Sequence, residues 1–243
     1  MSEIAVGGSG MNELLAVSDL HAWYGESHIL HGASLSVKRG ELVTLLGRNG
    51  AGKTSILKSI MGLVGRRSGS IMKQGHETIK MQTHRIARLG IGYCPEERGI
   101  FSSLNVEENL LLPPVIKQGG MSMDEIYDMF PNLLERRKSI GTRLSGGEQQ
   151  MLALARILRT GADLLLLDEV TEGLAPVIVQ AIGRTVRQLK ERGFTIILVE
   201  QNFHFAADLA DRHYIIEHGA IADVISREEL AGSRDRLNRY LGV

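Results

Sequence analysis

Eight consecutive residues, Gly47-Arg48-Asn49-Gly50-Ala51-Gly52-Lys53-Thr54, carry the spacing G-x-x-x-x-G-K-[ST] of a phosphate grip. Gly47, Gly50 and Gly52 let the backbone curl until several N–H groups converge on one anion, an approach that side chains would block. Lys53 adds a point charge for the β- and γ-phosphates of a nucleoside triphosphate. Thr54, followed by Ser55, offers a hydroxyl to Mg²⁺. A second grip follows almost a hundred residues later in Leu144-Ser145-Gly146-Gly147-Glu148, where a serine hydroxyl and glycine N–H groups would open a helix. Asp168-Glu169 then supplies two adjacent carboxylates, Asp168 to hold Mg²⁺ through water and Glu169 to orient or polarise an attacking water. Each feature has a plainer reading taken singly: a glycine turn, a capping box with Glu148 at its third position, a solvated turn. Their combination argues for nucleotide chemistry.

The elements that must position these groups are legible around them. Residues 41–46 form a short apolar run ending in a breaker, a buried strand by length, and 53–61 read as the helix whose first N–H groups face the same anion. Residues 164–167, four leucines, are too few for a helix and suit a central strand of a parallel sheet. Ligands of such sheets gather at the carboxyl ends of the strands, where Asp168 and Glu169 fall. Upstream, 14–20 and 33–37 read as strands of a smaller antiparallel sheet, flanking His21-Ala22-Trp23-Tyr24-Gly25. After a strand at 91–94 the pattern turns helical, at 105–112, 123–130 and 145–158, split by Pro113-Pro114, Gly119-Gly120 and Pro131. Strands at 195–199 and 214–216, a helix at 176–192 and two short helices within 226–240 complete the reading.

Composition narrows the class. The chain has 243 residues, with 28 Lys+Arg against 28 Asp+Glu, so net charge gives no sign of a nucleic-acid partner or an anionic membrane surface. Its one cysteine, Cys94, excludes an internal disulfide framework and reads as a small buried residue at a strand end. No apolar run approaches the ~18–20 residues of a membrane span, so a membrane link would need a partner. Residues 1–12 read as disordered and do not resemble a secretory signal. The eight histidines show no metal-ligand spacing and read as surface or core fillers.

The two grips and the carboxylate pair, in that order, resemble the ATP-binding cassette, the motor subunit of ABC transporters. The resemblance implies an α/β, P-loop NTPase fold over residues 13–243: a mostly parallel core sheet, an antiparallel β-subdomain and a helical arm at about 97–160. It implies that Leu144, Ser145, Gly146, Gly147 and Glu148 meet the γ-phosphate of ATP bound to the opposite subunit, two chains sandwiching two ATP molecules head to tail. Tyr24 takes the position that stacks on adenine, with packing in the β-subdomain as its alternative, and Trp23 reads as core.

Three departures mark a branch of that family. Glu96 stands where most members place a Mg²⁺-sensing glutamine, Gln201 where most place a switch histidine, and Ala175 where the subunit-contact loop usually ends in aspartate. Gln201 can donate a hydrogen bond to phosphate without carrying charge, and Glu96 is a hard oxygen donor suited to Mg²⁺. Pro95-Glu96-Glu97-Arg98 with Phe101, Gly173-Leu174-Ala175-Pro176 and Val199-Glu200-Gln201-Asn202 resemble the LivF-type ATPase subunits of high-affinity branched-chain amino acid importers, with Glu97 and Val170 departing from that pattern. This resemblance implies a sister ATPase subunit (or a homodimer in isolation), two integral-membrane permease subunits, an indirect periplasmic solute-binding protein and a place on the cytoplasmic face of the inner membrane. An importer for urea or short amides shares nearly the same motifs, and a soluble ABC ATPase acting in assembly or regulation is a third reading. An ATPase subunit never touches the cargo, so no residue here encodes the solute.

Overall fold

The computed structural model describes residues 12–241 and builds them on two sheets. The first is antiparallel, made by β1 (Glu13–Tyr24), β2 (Ser27–Lys38), β4 (Arg66–Lys73) and β5 (His76–Glu77) in the order β2-β1-β4-β5. The second holds six strands in the order β10-β9-β3-β8-β7-β6, namely β3 (Leu42–Leu46), β6 (Ile91–Cys94), β7 (Leu164–Asp168), β8 (Thr195–Val199), β9 (Arg212–Glu217) and β10 (Ala220–Ser226). All its pairs are parallel except β9 with β10.

Every residue of β3, β7 and β8 is buried, which is why these strands read as unbroken apolar runs. Side chains alternate between two cores because successive Cβ atoms point to opposite faces. Val43, Leu45, Leu164, Leu166, Ile197 and Val199 pack with the antiparallel sheet and helix α1 (Lys53–Ile60). Leu165, Leu167, Ile196 and Leu198 face the other way. There they meet α6 (Gly146–Leu158) and α7 (Pro176–Glu191), flanked by the short arm helices α3 (Val106–Leu111), α4 (Met123–Met129) and α5 (Pro131–Glu135). Two further short helices, α2 (Thr83–Arg88) and α8 (Phe203–Ala207), lie between strands.

One ionic junction ties the parts together. Asp163, just before β7, accepts from Lys73 Nζ of the antiparallel sheet at 2.8 Å and from Lys117 Nζ of the helical arm at 3.2 Å. Arg39, in the turn between the sheets, stands 3.9 Å away. Lys73 is fully buried, and its desolvation holds the ammonium below its usual range.

The structure corrects the sequence reading at Trp23 and Ser226 and adds detail at Pro131 and the histidines. Pro131 does end α4, as read, and in addition opens α5 at its first turn, where its missing N–H costs nothing. Trp23 is half-buried, not core: its ring stacks on His28 at 4.4 Å with the Arg66 guanidinium 4.6 Å from its centroid. Ser226 ends a strand; the two helical pieces after it are a 3-10 turn at Leu230–Gly232 and α9 (Arg234–Leu241). The histidines, read as surface or core fillers, include one pair in contact, His21 Nδ1 and His28 Nε2, 3.1 Å apart. No three His, Cys, Asp or Glu among the described residues could cage a metal by themselves. Cys94 is buried as expected, and burial pushes its thiol up to about 12. The expectation for residues 1–12 lies outside the described residues but for Asn12, whose carbonyl accepts from Arg39 N at 3.0 Å. Among the described residues no helix is long and apolar enough to cross a membrane.

Candidate nucleotide site

The site forms where β3, β6, β7 and β8 end. The chain leaves β3 through Gly47, where an added Cβ would lie 2.3 Å from the Ile216 carbonyl oxygen, so only glycine permits this close pass of β9. It enters α1 through Gly52, which caps the helix with no side-chain hydrogen bond and no acidic residue in the first turn. The first N–H groups of α1 are thus left for an anion. Lys53 is almost fully buried, with Nζ donating to the carbonyls of Gly47 at 2.9 Å and Arg48 at 3.1 Å. Desolvation lowers the affinity of this ammonium for its proton, opposed by Glu169 and Asp168.

β7 delivers the two carboxylates to different places. Asp168 is buried and accepts from Thr54 Oγ1 at 2.9 Å and from the Tyr93 hydroxyl at 2.9 Å. Burial raises its affinity for a proton, and those two donors oppose the shift. Glu169 sits in the left-handed region at φ 48°, an uncommon conformation outside glycine that turns its side chain out of the strand direction. One of its oxygens accepts from Gln201 Nε2 at 2.6 Å and the other lies 3.7 Å from Lys53 Nζ. Tyr24, Asn49, Gly50, Gly52, Lys53, Thr54, Ser55, Glu96, Glu169 and Gln201, which the sequence named, line one open cleft of about 500 Å³ together with Ile29 and Glu172. Tyr24 is exposed at its mouth, free to meet a planar group. Burial and the neighbouring Glu169 raise the Glu96 carboxyl.

Other sequence-named residues lie elsewhere. Arg48 and Ala51 face a second cleft of about 210 Å³ beside Tyr240, whose carbonyl accepts from Arg48 Nε at 3.3 Å. Leu144, Ser145, Gly146, Gly147 and Glu148 are not among the lining of the main cleft. Ser145 caps α6 in a reciprocal box, its Oγ accepting from Glu148 N at 3.3 Å while Glu148 accepts from Ser145 N at 2.7 Å. Three partners escaped sequence reasoning: Tyr93 on Asp168, Thr171 on Glu200, and Arg98, whose Nη1 donates to Gln149 Oε1 at 3.1 Å beside the Ser145 cap. Only Arg98 left a signal, as part of the Pro-Glu-x-Arg block.

Thr54, Asp168 and Glu96 offer hydroxyl and carboxylate oxygens, the donor class Mg²⁺ prefers, and Thr54 and Asp168 are already in hydrogen-bond contact. With no protein cage of three ligands, the residues fit an ion that shares its shell with phosphate oxygens.

A strand–glycine loop–helix grip at the carboxyl end of a parallel sheet, with carboxylates on the neighbouring strand, defines a P-loop nucleotide-binding protein. A model of the ABC transporter family matches residues 30–172. The chain belongs to this family, and its cassette is an ATPase. It is 43% identical over 211 residues to the high-affinity branched-chain amino acid transport ATP-binding protein BraG of Pseudomonas aeruginosa, covering 86% of this chain and 91% of the relative. A probable branched-chain amino acid transport ATP-binding protein LivF of Archaeoglobus fulgidus is 36% identical, with 86% and 90% covered. The lipopolysaccharide export ATP-binding protein LptB of Escherichia coli is 33% identical, with 94% and 97% covered. An ATP-binding cassette solved as a dimer bound to ADP and phosphate shares the fold at TM-score 0.77 and 23% identity, over 88% of this chain and 98% of that one.

Proposed function

We propose that this chain is the ATP-hydrolysing motor of an importer for branched-chain amino acids, working at the cytoplasmic face of the membrane in an ATP sandwich with a sister ATPase. The carrying observation is a divided site: the cleft holds the grip, Glu169 and Gln201, while the residues that cap and open the Ser145 helix are not part of its lining. A second subunit is needed to bring such a helix onto the nucleotide. The exposed apolar residues Phe101, Leu111, Leu112, Val115, Leu134 and Ile140, all on the helical arm, suit docking onto two membrane-embedded permease subunits. A periplasmic binding protein would deliver the solute to those subunits.

In this reading Tyr24 stacks on adenine and residues 47–55 enclose the phosphates, with Lys53 neutralising their charge. Mg²⁺ held by Thr54, Asp168 and Glu96 would neutralise the charge that grows on the phosphate oxygens. Glu169 accepts a hydrogen bond from the attacking water, and Gln201 keeps that carboxylate aimed by donating to its other oxygen. Ser145 and the glycines after it meet the γ-phosphate across the subunit interface. The likeness to BraG and LivF favours amino acid import; the likeness to LptB, lower in identity, favours lipopolysaccharide export as the second reading.

Uptake of labelled leucine separates the readings. Cells lacking the gene are complemented with the wild-type chain, Glu169→Gln or Ser145→Arg, with excess urea as competitor. Uptake restored by wild type alone and insensitive to urea supports the importer. Uptake indifferent to the gene would overturn it, and uptake restored by Ser145→Arg would overturn the sandwich.

A further inference from the structure

We propose that Glu200 is a positioning residue for hydrolysis, a buried clamp that holds the segment carrying Glu169 against the segment carrying Gln201. The proposal rests on the hydrolytic roles given above to Glu169 and Gln201. Glu200 directly follows β8, is 2% exposed and is not among the residues that line the cleft. Its two carboxylate oxygens both accept from the Thr171 hydroxyl, at 2.9 and 3.0 Å, and the backbone N–H groups of Thr171 and Asn202 also face it. Thr171 lies two residues beyond Glu169, and Asn202 one residue beyond Gln201. One side chain thus grips the backbone just past each of the two functional residues.

The clamp has something to restrain. Glu169 adopts φ 48°, a region that a non-glycine residue rarely occupies and that persists only where the surroundings hold it. The amide of Glu169 donates to the Val199 carbonyl at 3.0 Å, so this segment is tied to the end of β8 at two successive points, Glu169 on Val199 and Thr171 on Glu200. With the second tie removed, the strained turn can relax toward ordinary backbone angles. The 2.6 Å contact between Gln201 Nε2 and Glu169 would loosen with it.

A carboxylate in this place carries a cost that a merely structural residue would avoid. Burial, with Glu169 nearby, pushes Glu200 up to about 7 despite the Thr171 hydrogen bonds. The charged groups facing it are Glu169 from the end of β7 and Lys53 from the start of α1; its other neighbours, Thr171 and Asn202, are neutral. The ionised form accepts from all three donors, the Thr171 hydroxyl shared between its oxygens and the N–H groups of Thr171 and Asn202, whereas the protonated form must give up an acceptor. Clamping therefore strengthens as pH rises through 7.

The test is steady-state ATP hydrolysis by the purified full-length chain from pH 5.5 to 9, with binding of a fluorescent ATP analogue measured in parallel. Glu200→Ala is expected to lower kcat tenfold or more with KM and analogue binding changed less than twofold. Glu200→Gln, which keeps shape and one acceptor, is expected to retain an intermediate kcat and to lose the rise centred near pH 7. Thr171→Val should lower kcat in the wild-type background and add nothing to Glu200→Ala. A Glu200→Gln enzyme with the wild-type pH profile, or additive losses in the double variant, would overturn the proposal. Should Glu200→Ala fail to fold, the profile of Glu200→Gln and the effect of Thr171→Val decide alone. Glu169→Gln is the control: if it hydrolyses ATP at the wild-type rate, the assignment of Glu169 fails, which is distinct from failure of the clamp.

Discussion

Gly219, in the turn between β9 and β10, fastens the phosphate grip to the antiparallel sheet, and replacing it with alanine should damage both. Its N–H donates to the Ala51 carbonyl at 2.9 Å, and its own carbonyl accepts from His31 N at 2.9 Å. At φ 75° an alanine would pay the left-handed cost of about 1 kcal/mol. The new Cβ would also fall 1.9 Å from the Ile29 carbonyl oxygen, where real Cβ atoms keep beyond 3.0 Å. The turn and β2 must part by about 1 Å, loosening both hydrogen bonds at about 1 kcal/mol each. The sum is about 3 kcal/mol, or about 10 °C in melting temperature for a domain of this size. Because the displaced turn no longer holds Ala51 in place, kcat/KM for ATP should fall tenfold or more. Gly75→Ala isolates the first contribution: that glycine has φ 81° with nothing within 4 Å of its added Cβ. It should cost only about 1 kcal/mol and leave hydrolysis intact. Thermal melts and ATPase assays on the two variants decide the matter. Equal melting shifts for Gly219→Ala and Gly75→Ala would refute the steric argument.

Three further outcomes are expected. Tyr93→Phe deprives the buried Asp168 of one donor, a loss of about 1–3 kcal/mol, so the Mg²⁺ concentration for half-maximal hydrolysis should rise about tenfold while the melting curve stays cooperative; an unchanged Mg²⁺ requirement would remove Tyr93 from the site. Burial pushes His213 down to about 4, so the folded chain binds that proton less readily than the unfolded one. Stability from this residue is present above pH 6.5 and is lost as pH falls toward 4, about 2 kcal/mol between pH 7 and 5; chemical denaturation should show this slope in wild type and its absence in His213→Gln. Asp163→Asn leaves the buried Lys73 ammonium without its counter-charge, and since Asp163 is partly exposed the loss should be about 2 kcal/mol, read as a lower denaturation midpoint.

What could be read in advance divides by range along the chain. The phosphate grip and the Ser145 cap are local: their function follows from spacing within eight residues or fewer, so the sequence displays it. β3, β7 and β8 were equally plain, since strands covered on both faces need unbroken apolar runs. Tyr93 on Asp168 was hidden because it arises from β6 lying beside β7, a pairing of residues far apart in sequence. Glu200 on Thr171 was hidden in the same way by β7 beside β8. β4 escaped notice because six of the eight residues in Arg66–Lys73 are only partly buried or exposed, which erases apolar alternation. Trp23 misled for a related reason: a large aromatic was read as core, while its partners His28 and Arg66 make a half-solvated stack.

The Asp163 junction constrains how the parts of the molecule can shift. A carboxylate attracting ammonium groups has little directional preference, so its ties tolerate swivelling far better than separation. Lys73, Lys117 and Arg39 come from three different regions and converge on that one carboxylate. Any relative movement of the helical arm and the antiparallel sheet should therefore run as rotation about a nearly fixed pivot, like a ball joint. Small turns at this point become larger displacements in the parts of the arm that lie farther from it.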